Sequence, residues 1–188
     1  ADIARLSVDL DGDQRPDLVS IVDTGVKDAN YVLRADLSKS GKTISAANVI
    51  NSPKEEGIWS TGPDYKLEAG RAASFALKIR VGDYEAYRSF AQYSYVIVVR
   101  NQQFVVLRYT TTYDHLSVGD PNHYIHLDHR FTSGRIFGKG DSYHREFHSR
   151  ASRSLVLPMG CRGAQLLSLW EQTTAPTCAS QTAERLES

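Results

Sequence analysis

Apolar and polar residues alternate with a period of two through much of this chain, and stretches with helical spacing are short. Leu6, Val8 and Leu10 fall on one face of an N-terminal segment, and residues 18–22 begin a second apolar run. Phe75, Leu77, Ile79 and Val81 alternate with Ser74, Ala76, Lys78 and Arg80, which predicts a strand buried on one face. Residues 93–100 and 103–113 are rich in Val, Ile, Tyr and Thr and flank Asn101-Gln102. They predict a long antiparallel hairpin with a tight turn. Apolar residues on both of its faces place it centrally rather than at an edge. Residues 123–131 and 154–157 are further strand candidates, with Thr132-Ser133-Gly134-Arg135 as the turn between two of them. Residues 51–65, with Pro53, Gly57, Gly62 and Pro63, predict a long surface connection, and residues 114–122 another loop. One short helical turn is predicted at 165–172. The sum is an all-β fold of antiparallel meanders in two packed or propeller-like sheets, with at most one short helix. It is expected to form a single domain over residues 1–178, with a polar, flexible tail at 179–188.

Composition narrows the classes of function. At 188 residues the chain can bury a sizeable core. Its 22 Lys and Arg balance 22 Asp and Glu, so no broad electrostatic footprint for nucleic acid or an anionic membrane is expected. No apolar run approaches the roughly 18–20 residues of a membrane span. The sequence starts at Ala1, which fits a trimmed N-terminus whose signal peptide or lipid anchor would lie upstream. Two cysteines, Cys161 and Cys178, suggest one disulfide and a periplasmic or extracellular setting; two buried thiols are the alternative.

The most specific feature is Asp9-Leu10-Asp11-Gly12-Asp13-Gln14-Arg15-Pro16-Asp17. Asp9, Asp11, Asp13 and Asp17 occupy positions 1, 3, 5 and 9 of this loop, with Arg15 at position 7 to offer a backbone carbonyl. That is the ligand order by which calcium loops surround one ion with hard oxygens. Without a cation the four carboxylates would repel one another, so bound Ca2+ would add to folding stability. Position 12 is Ser20 rather than a bidentate Glu, and a strand follows instead of a helix. Gln14 holds position 6, where a sharp turn usually uses glycine, and a left-handed Gln14 would cost roughly 1–2 kcal/mol. The missing ligand would come from water or another loop, with Asp23 and Asp28 as candidates.

This loop, with Leu18-Val19 after it, resembles the strand-loop-strand calcium motif of FG-GAP and VCBS-type proteins. Those carry it in several propeller blades; one copy occurs in this chain, without a 40–50-residue period. A closer resemblance is to bacterial inhibitors of invertebrate-type lysozyme, and to the related periplasmic immunity lipoproteins paired with peptidoglycan-cleaving toxins. In these families one such loop precedes an apolar strand, an exposed loop ending in tyrosine, and another strand. The same order is present in residues 18–22, then Asp23-Thr24-Gly25-Val26-Lys27-Asp28-Ala29-Asn30-Tyr31, then 32–37. The lysozyme inhibitors insert a Ser-Gly-x-Tyr loop end into the enzyme's cleft. The matching stretch Asp28-Ala29-Asn30-Tyr31 keeps the tyrosine and lacks the serine and glycine. Residues 93–135 add an aromatic strand, a tight turn, Phe104-Val105-Val106 and the hairpin Ser133-Gly134-Arg135.

The resemblance implies a non-enzymatic inhibitor or immunity protein whose partner is a cell-wall-degrading, lysozyme-like glycosidase. The implied contact is the loop with Thr24, Gly25, Lys27, Asp28, Asn30 and Tyr31. Tyr is a frequent binding anchor, and a cation at the loop's base would hold it ready for its target. An adhesion or carbohydrate-binding module with structural calcium is the alternative. Other constellations are weaker. His123, His126 and His129 are spaced by three, which on a strand sends neighbours to opposite faces. His144 and His148, with Asp141 and Glu146, would meet only across a turn. No pair of carboxylates, nucleophile elbow or phosphate-binding glycine loop stands out. Arg145, Arg150 and Arg153 form a local basic stretch, read as a solvated face.

Overall fold

An antiparallel strand can bury every second side chain and leave the others in water, so the alternating runs select sheets with one wet face. The computed structural model describes residues 1–26, 29–50, 61–83, 89–115, 123–141, 153–170 and 174–187. Within them the strands β1 (Asp2–Val8), β2 (Asp17–Val22), β3 (Tyr31–Asp36) and β4 (Thr43–Ile50) form one sheet in chain order. The second sheet runs, also in chain order, through β5 (Thr61–Ala69), β6 (Ser74–Asp83), β7 (Ser89–Arg100), β8 (Gln103–His115), β9 (His123–Arg130), β10 (Arg135–Asp141) and β11 (Arg153–Val156). A short β12 (Gln165–Leu166) pairs with the beginning of β8. All pairings are antiparallel, so the described residues form an all-β fold of two antiparallel sheets with one helix, α1 (Thr177–Glu187).

The β7–β8 hairpin is central, as its two-sided apolar pattern requires. Its turn places Asn101 and Gln102 at φ 49° and 59°, the left-handed pair that a two-residue hairpin turn needs. At the far end of the chain, the turn before β10 uses Gly134 at φ 67°. A bulge in β8 sets the rest. Val96 faces Arg108 while Ile97 faces Val106, leaving Leu107 as the extra residue. Beyond it β8 pairs with β9; before it β8 pairs with β12. The Leu107 carbonyl accepts the Phe131 N–H at 3.2 Å, and the Phe131 carbonyl accepts that of Gly163 at 2.7 Å, so the C-terminal segment is stitched in where β9 ends.

Both sheets contribute to one core. Val19, Ile21, Leu33 and Ala35 of the smaller sheet meet Phe75, Leu77, Tyr95, Ile97 and Tyr109 of the larger. β1 borders β5, and β4 lies close to β8 and the 3-10 turn Leu167–Leu169. Trp170 sits among Tyr95, Tyr109 and Phe131, with ring centroids 6.1, 5.6 and 5.7 Å away at steep angles, the edge-to-face arrangement aromatic quadrupoles favour.

Several expectations are corrected. The connection expected over 51–65 ends earlier, because β5 already begins at Thr61; a register shift between Thr61 and Asp64 takes up Gly62-Pro63. Residues 51–60 lie outside the described residues, as do 116–122 of the second expected loop. The segment 165–172 opens with β12 before its 3-10 turn. The tail expected to fray from Ala179 is helical. Cys161 and Cys178 are disulfide-bonded, and Ala179 and Thr182 are buried, so a polar sequence is tethered and packed. Closing a 17-residue loop of this kind stabilises by about 3 kcal/mol in the chain-entropy account. The histidines separate as their spacing predicts: His126 faces outward beside Thr112, and His129 is buried.

His129 stacks on Phe131 and shares a 3.2 Å hydrogen bond with the Tyr109 carbonyl through Nδ1, while Nε2 has no partner among the described residues. Burial holds its imidazole neutral, with the pKa lowered to about 4. The unfolded chain takes up that proton near pH 6.5. Between pH 6.5 and about 4 the unfolded state therefore binds more protons, and stability falls as pH falls. We predict a loss of about 3 kcal/mol from this residue across the window in urea titrations, and a clearly shallower slope over the same window in His129→Phe.

Candidate metal centre

The acidic loop connects β1 to β2. Asp9 closes it from one side: its carboxylate accepts the N–H groups of Gly12 at 2.7 Å and Gln14 at 2.8 Å. These bonds require a chain that curls tightly, and Gly12 and Gln14 take φ of 77° and 66°. Gln14 thus adopts the left-handed conformation expected of its position and bears its cost. Asp17 closes the other side. It is 1 % exposed, and its two oxygens accept the N–H of Leu10 at 2.8 Å and that of Ser38, in the β3–β4 connection, at 2.7 Å. Leu10, predicted to extend the first strand, instead lies in the loop and is still buried, held by this bond to Asp17.

Carboxylate oxygens of Asp9, Asp11 and Asp17 lie within 4.8 Å of one another. Two oxygens on one calcium at 2.3–2.6 Å stand at most about 5 Å apart, so the three fit around a single divalent cation. Asp13 stands outside this set. Its Oδ1 accepts the Arg15 N–H at 2.8 Å, in a turn of its own, and its N–H donates to Asp11 Oδ1 at 3.2 Å. The electrostatics are divided. Desolvation in the loop and the neighbouring charges of Asp13 and Asp17 push Asp11 above the ordinary carboxylate range, against the pull of the Asp13 N–H. For Asp9 desolvation acts upward too, but the N–H groups of Gln14, Gly12, Asp13 and Asp11 outweigh it and hold it below that range. Asp11 is thus a carboxylate whose charge a cation would relieve, and Asp17 the one the fold itself already uses.

The remaining candidate residues are elsewhere. In a meander successive connections emerge at opposite ends of the strands, so β2 separates the acidic loop from the Asp23–Asn30 connection by about 20 Å. Asp23, which follows β2, is therefore at the wrong end to complete the metal shell, and a cation cannot sit at the base of that connection. The β3–β4 turn, through Ser38, is what adjoins the acidic loop. In the β2–β3 connection Asp23 accepts the Gly25 N–H at 2.9 Å, Thr24 Oγ1 accepts that of Val26 at 3.4 Å, and Gly25 has φ 74°. Val26 is 60 % exposed and Asn30 half-buried; Lys27 and Asp28 lie outside the described residues. Tyr31 does not project. It opens β3 opposite Ile50, is 7 % exposed, and packs edge-on against Tyr65 at 5.6 Å. The sequence order that singled it out cannot tell which face of the strand it takes, and the core claims it. The chain matches no family model, no curated protein and no solved structure.

The two carboxylates separate the cation's contribution from the fold's own. Chelator should lower the melting temperature of metal-loaded wild type by about 5–10 °C, the shift expected when a ligand at a hundredfold excess over its Kd is removed from a chain of this size. Asp11→Asn should melt like chelated wild type and ignore chelator. Asp17→Ala should lose about 3 kcal/mol even without metal, because the Leu10 and Ser38 N–H groups lose their acceptor, and should gain nothing from added metal. Differential scanning fluorimetry with and without EDTA checks all three.

Proposed function

We propose that this chain is a calcium-stabilised, non-enzymatic inhibitor or immunity protein that blocks the active cleft of a lysozyme-like peptidoglycan hydrolase. The observation that carries the reading is the start of the β2–β3 connection: Asp23 and Thr24 accept the N–H groups of Gly25 and Val26, and the Val26 side chain is exposed. A turn already closed by such bonds loses little entropy on entering a cleft. The resemblance to lysozyme inhibitors points to the same connection, with Val26 in place of Tyr31 as the residue that meets the target. Lys27, Asp28, Thr24 and Asn30 are its polar candidates. Calcium is favoured over softer metals because the donors are carboxylate oxygens alone. The disulfide favours the periplasm or the exterior, and no helix among the described residues is long and apolar enough to cross a membrane.

Purified protein should inhibit at least one lysozyme-type peptidoglycan hydrolase at micromolar concentration in a turbidity assay of cell-wall lysis. Val26→Asp should weaken inhibition by about tenfold or more at unchanged melting temperature. Full lytic activity in the presence of excess protein, across hydrolases of this type, would overturn the proposal, as would a Val26→Asp protein that inhibits as well as wild type.

A further inference from the structure

The outer face of the larger sheet carries an arrangement that neither the metal loop nor the β2–β3 connection explains. Arg108 of β8 is in register with Arg130 of β9, and Arg130 with Arg135 of β10. Three guanidinium side chains thus stand in one row across three adjacent strands, whose spacing is about 4.8 Å. Like charges directly opposite one another on a sheet destabilise it, and a face selected for stability alone would alternate signs. One carboxylate stands next to the row. Asp128 accepts both Nε and Nη2 of Arg108 at 2.8 Å and Nε of Arg130 at 2.9 Å. Its side chain is 6 % exposed while those of the two arginines are 48 % exposed, so the negative charge is recessed beneath the positive ones. Arg130 is further fixed over the Phe137 ring at 4.4 Å. Arg135 binds the Ser154 hydroxyl at 2.8 Å and has no ion pair among the described residues. Lys139, farther along β10, is exposed and adds to the same sign.

The geometry points to a docking surface for an extended phosphate-bearing polyanion, laid across β8, β9 and β10 and held by Arg108, Arg130 and Arg135. The arginines are ordered before any ligand arrives, which reduces the entropy lost on binding. Each keeps N–H donors that Asp128 and Ser154 do not use. A flat carboxylate is satisfied by the fork of a single guanidinium. The diverging oxygens of a tetrahedral phosphate can instead bridge two of them on neighbouring strands. The chain as a whole is electrically neutral, so attraction to a polyanion would come from this face and not from net charge.

The test measures binding of long-chain inorganic polyphosphate to the full chain at low salt, with polyglutamate as competitor. Arg130→Gln/Arg135→Gln leaves the Arg108–Asp128 pair intact, and Lys39→Gln/Lys42→Gln removes the same charge from the β3–β4 connection. Wild type and the lysine variant should bind alike, binding should weaken as salt rises, and the arginine variant should bind at least about tenfold more weakly. Should that variant melt early, Arg135→Gln alone gives the same reading, since among the described residues it gives up one hydrogen bond, to the Ser154 hydroxyl. No binding by wild type, or equal weakening in both double variants, overturns the proposal. Polyglutamate competing as well as polyphosphate overturns its assignment to phosphate. None of these outcomes depends on inhibition of a hydrolase.

Discussion

Within each sheet the described strands follow one another in chain order and pair antiparallel, with β12 alone returning to an earlier strand, and most of the architecture follows from that constraint. Side chains that alternate along such a ribbon sort themselves into a buried set and a solvated set. The buried set of two sheets makes one core, closed by Trp170 and its aromatic neighbours. The solvated set of the larger sheet becomes a continuous polar face, where charges from different strands meet in rows fixed by register. Connections alternate between the two ends, so chemistry placed on successive connections is kept a strand length apart.

The acidic loop shows how one residue can serve both fold and ligand. Asp17 answers two N–H groups, a buried one from its own loop and one from the neighbouring turn, and so welds the β1–β2 and β3–β4 connections together. The same carboxylate has an oxygen within reach of Asp9 and Asp11. A cation in this place would be bound by groups whose positions the fold has already set, and the cost of gathering them has been met during folding. The strained Gln14 belongs to the same device, since Asp9 reaches its N–H through that turn.

Much of the fold was legible in the residues because β6 alternates strictly, and β7 and β8 are long, rich in β-branched and aromatic residues and joined by a two-residue turn. The acidic loop and the cysteine pair were legible by residue type and spacing. What escaped did so for physical reasons. β4 pairs with β3 through a register shift that brings Val49 and Ile50, adjacent in sequence, both into the core, and this breaks the period of two. β5 begins at Thr61 with Gly62-Pro63, and β10 contains Gly138 and Gly140, residues that normally mark turns. At Gly140 a Cβ would come within 2.2 Å of the Tyr124 carbonyl, so close approach of the strands, not flexibility, accounts for that glycine. The helix at the end of the chain is polar by composition, and only the disulfide and the buried Ala179 reveal why it stays folded. The role of Tyr31 and the distance between the two loops depended on orientation and topology, which spacing alone does not encode.

The pairing of β12 with the start of β8 bears on the order of assembly. Gln165 and Leu166 sit beside Val106 and Val105, residues made some sixty positions earlier during synthesis. Until they emerge from the ribosome, that stretch of β8 has an open edge, and Tyr95 and Tyr109 lack the indole that covers them. The nascent chain can build its hairpins one after another, but it cannot seal its interior until these late residues arrive. The Cys161–Cys178 bond then locks the seal, so oxidation in this protein acts on a nearly completed structure and does not guide its beginnings.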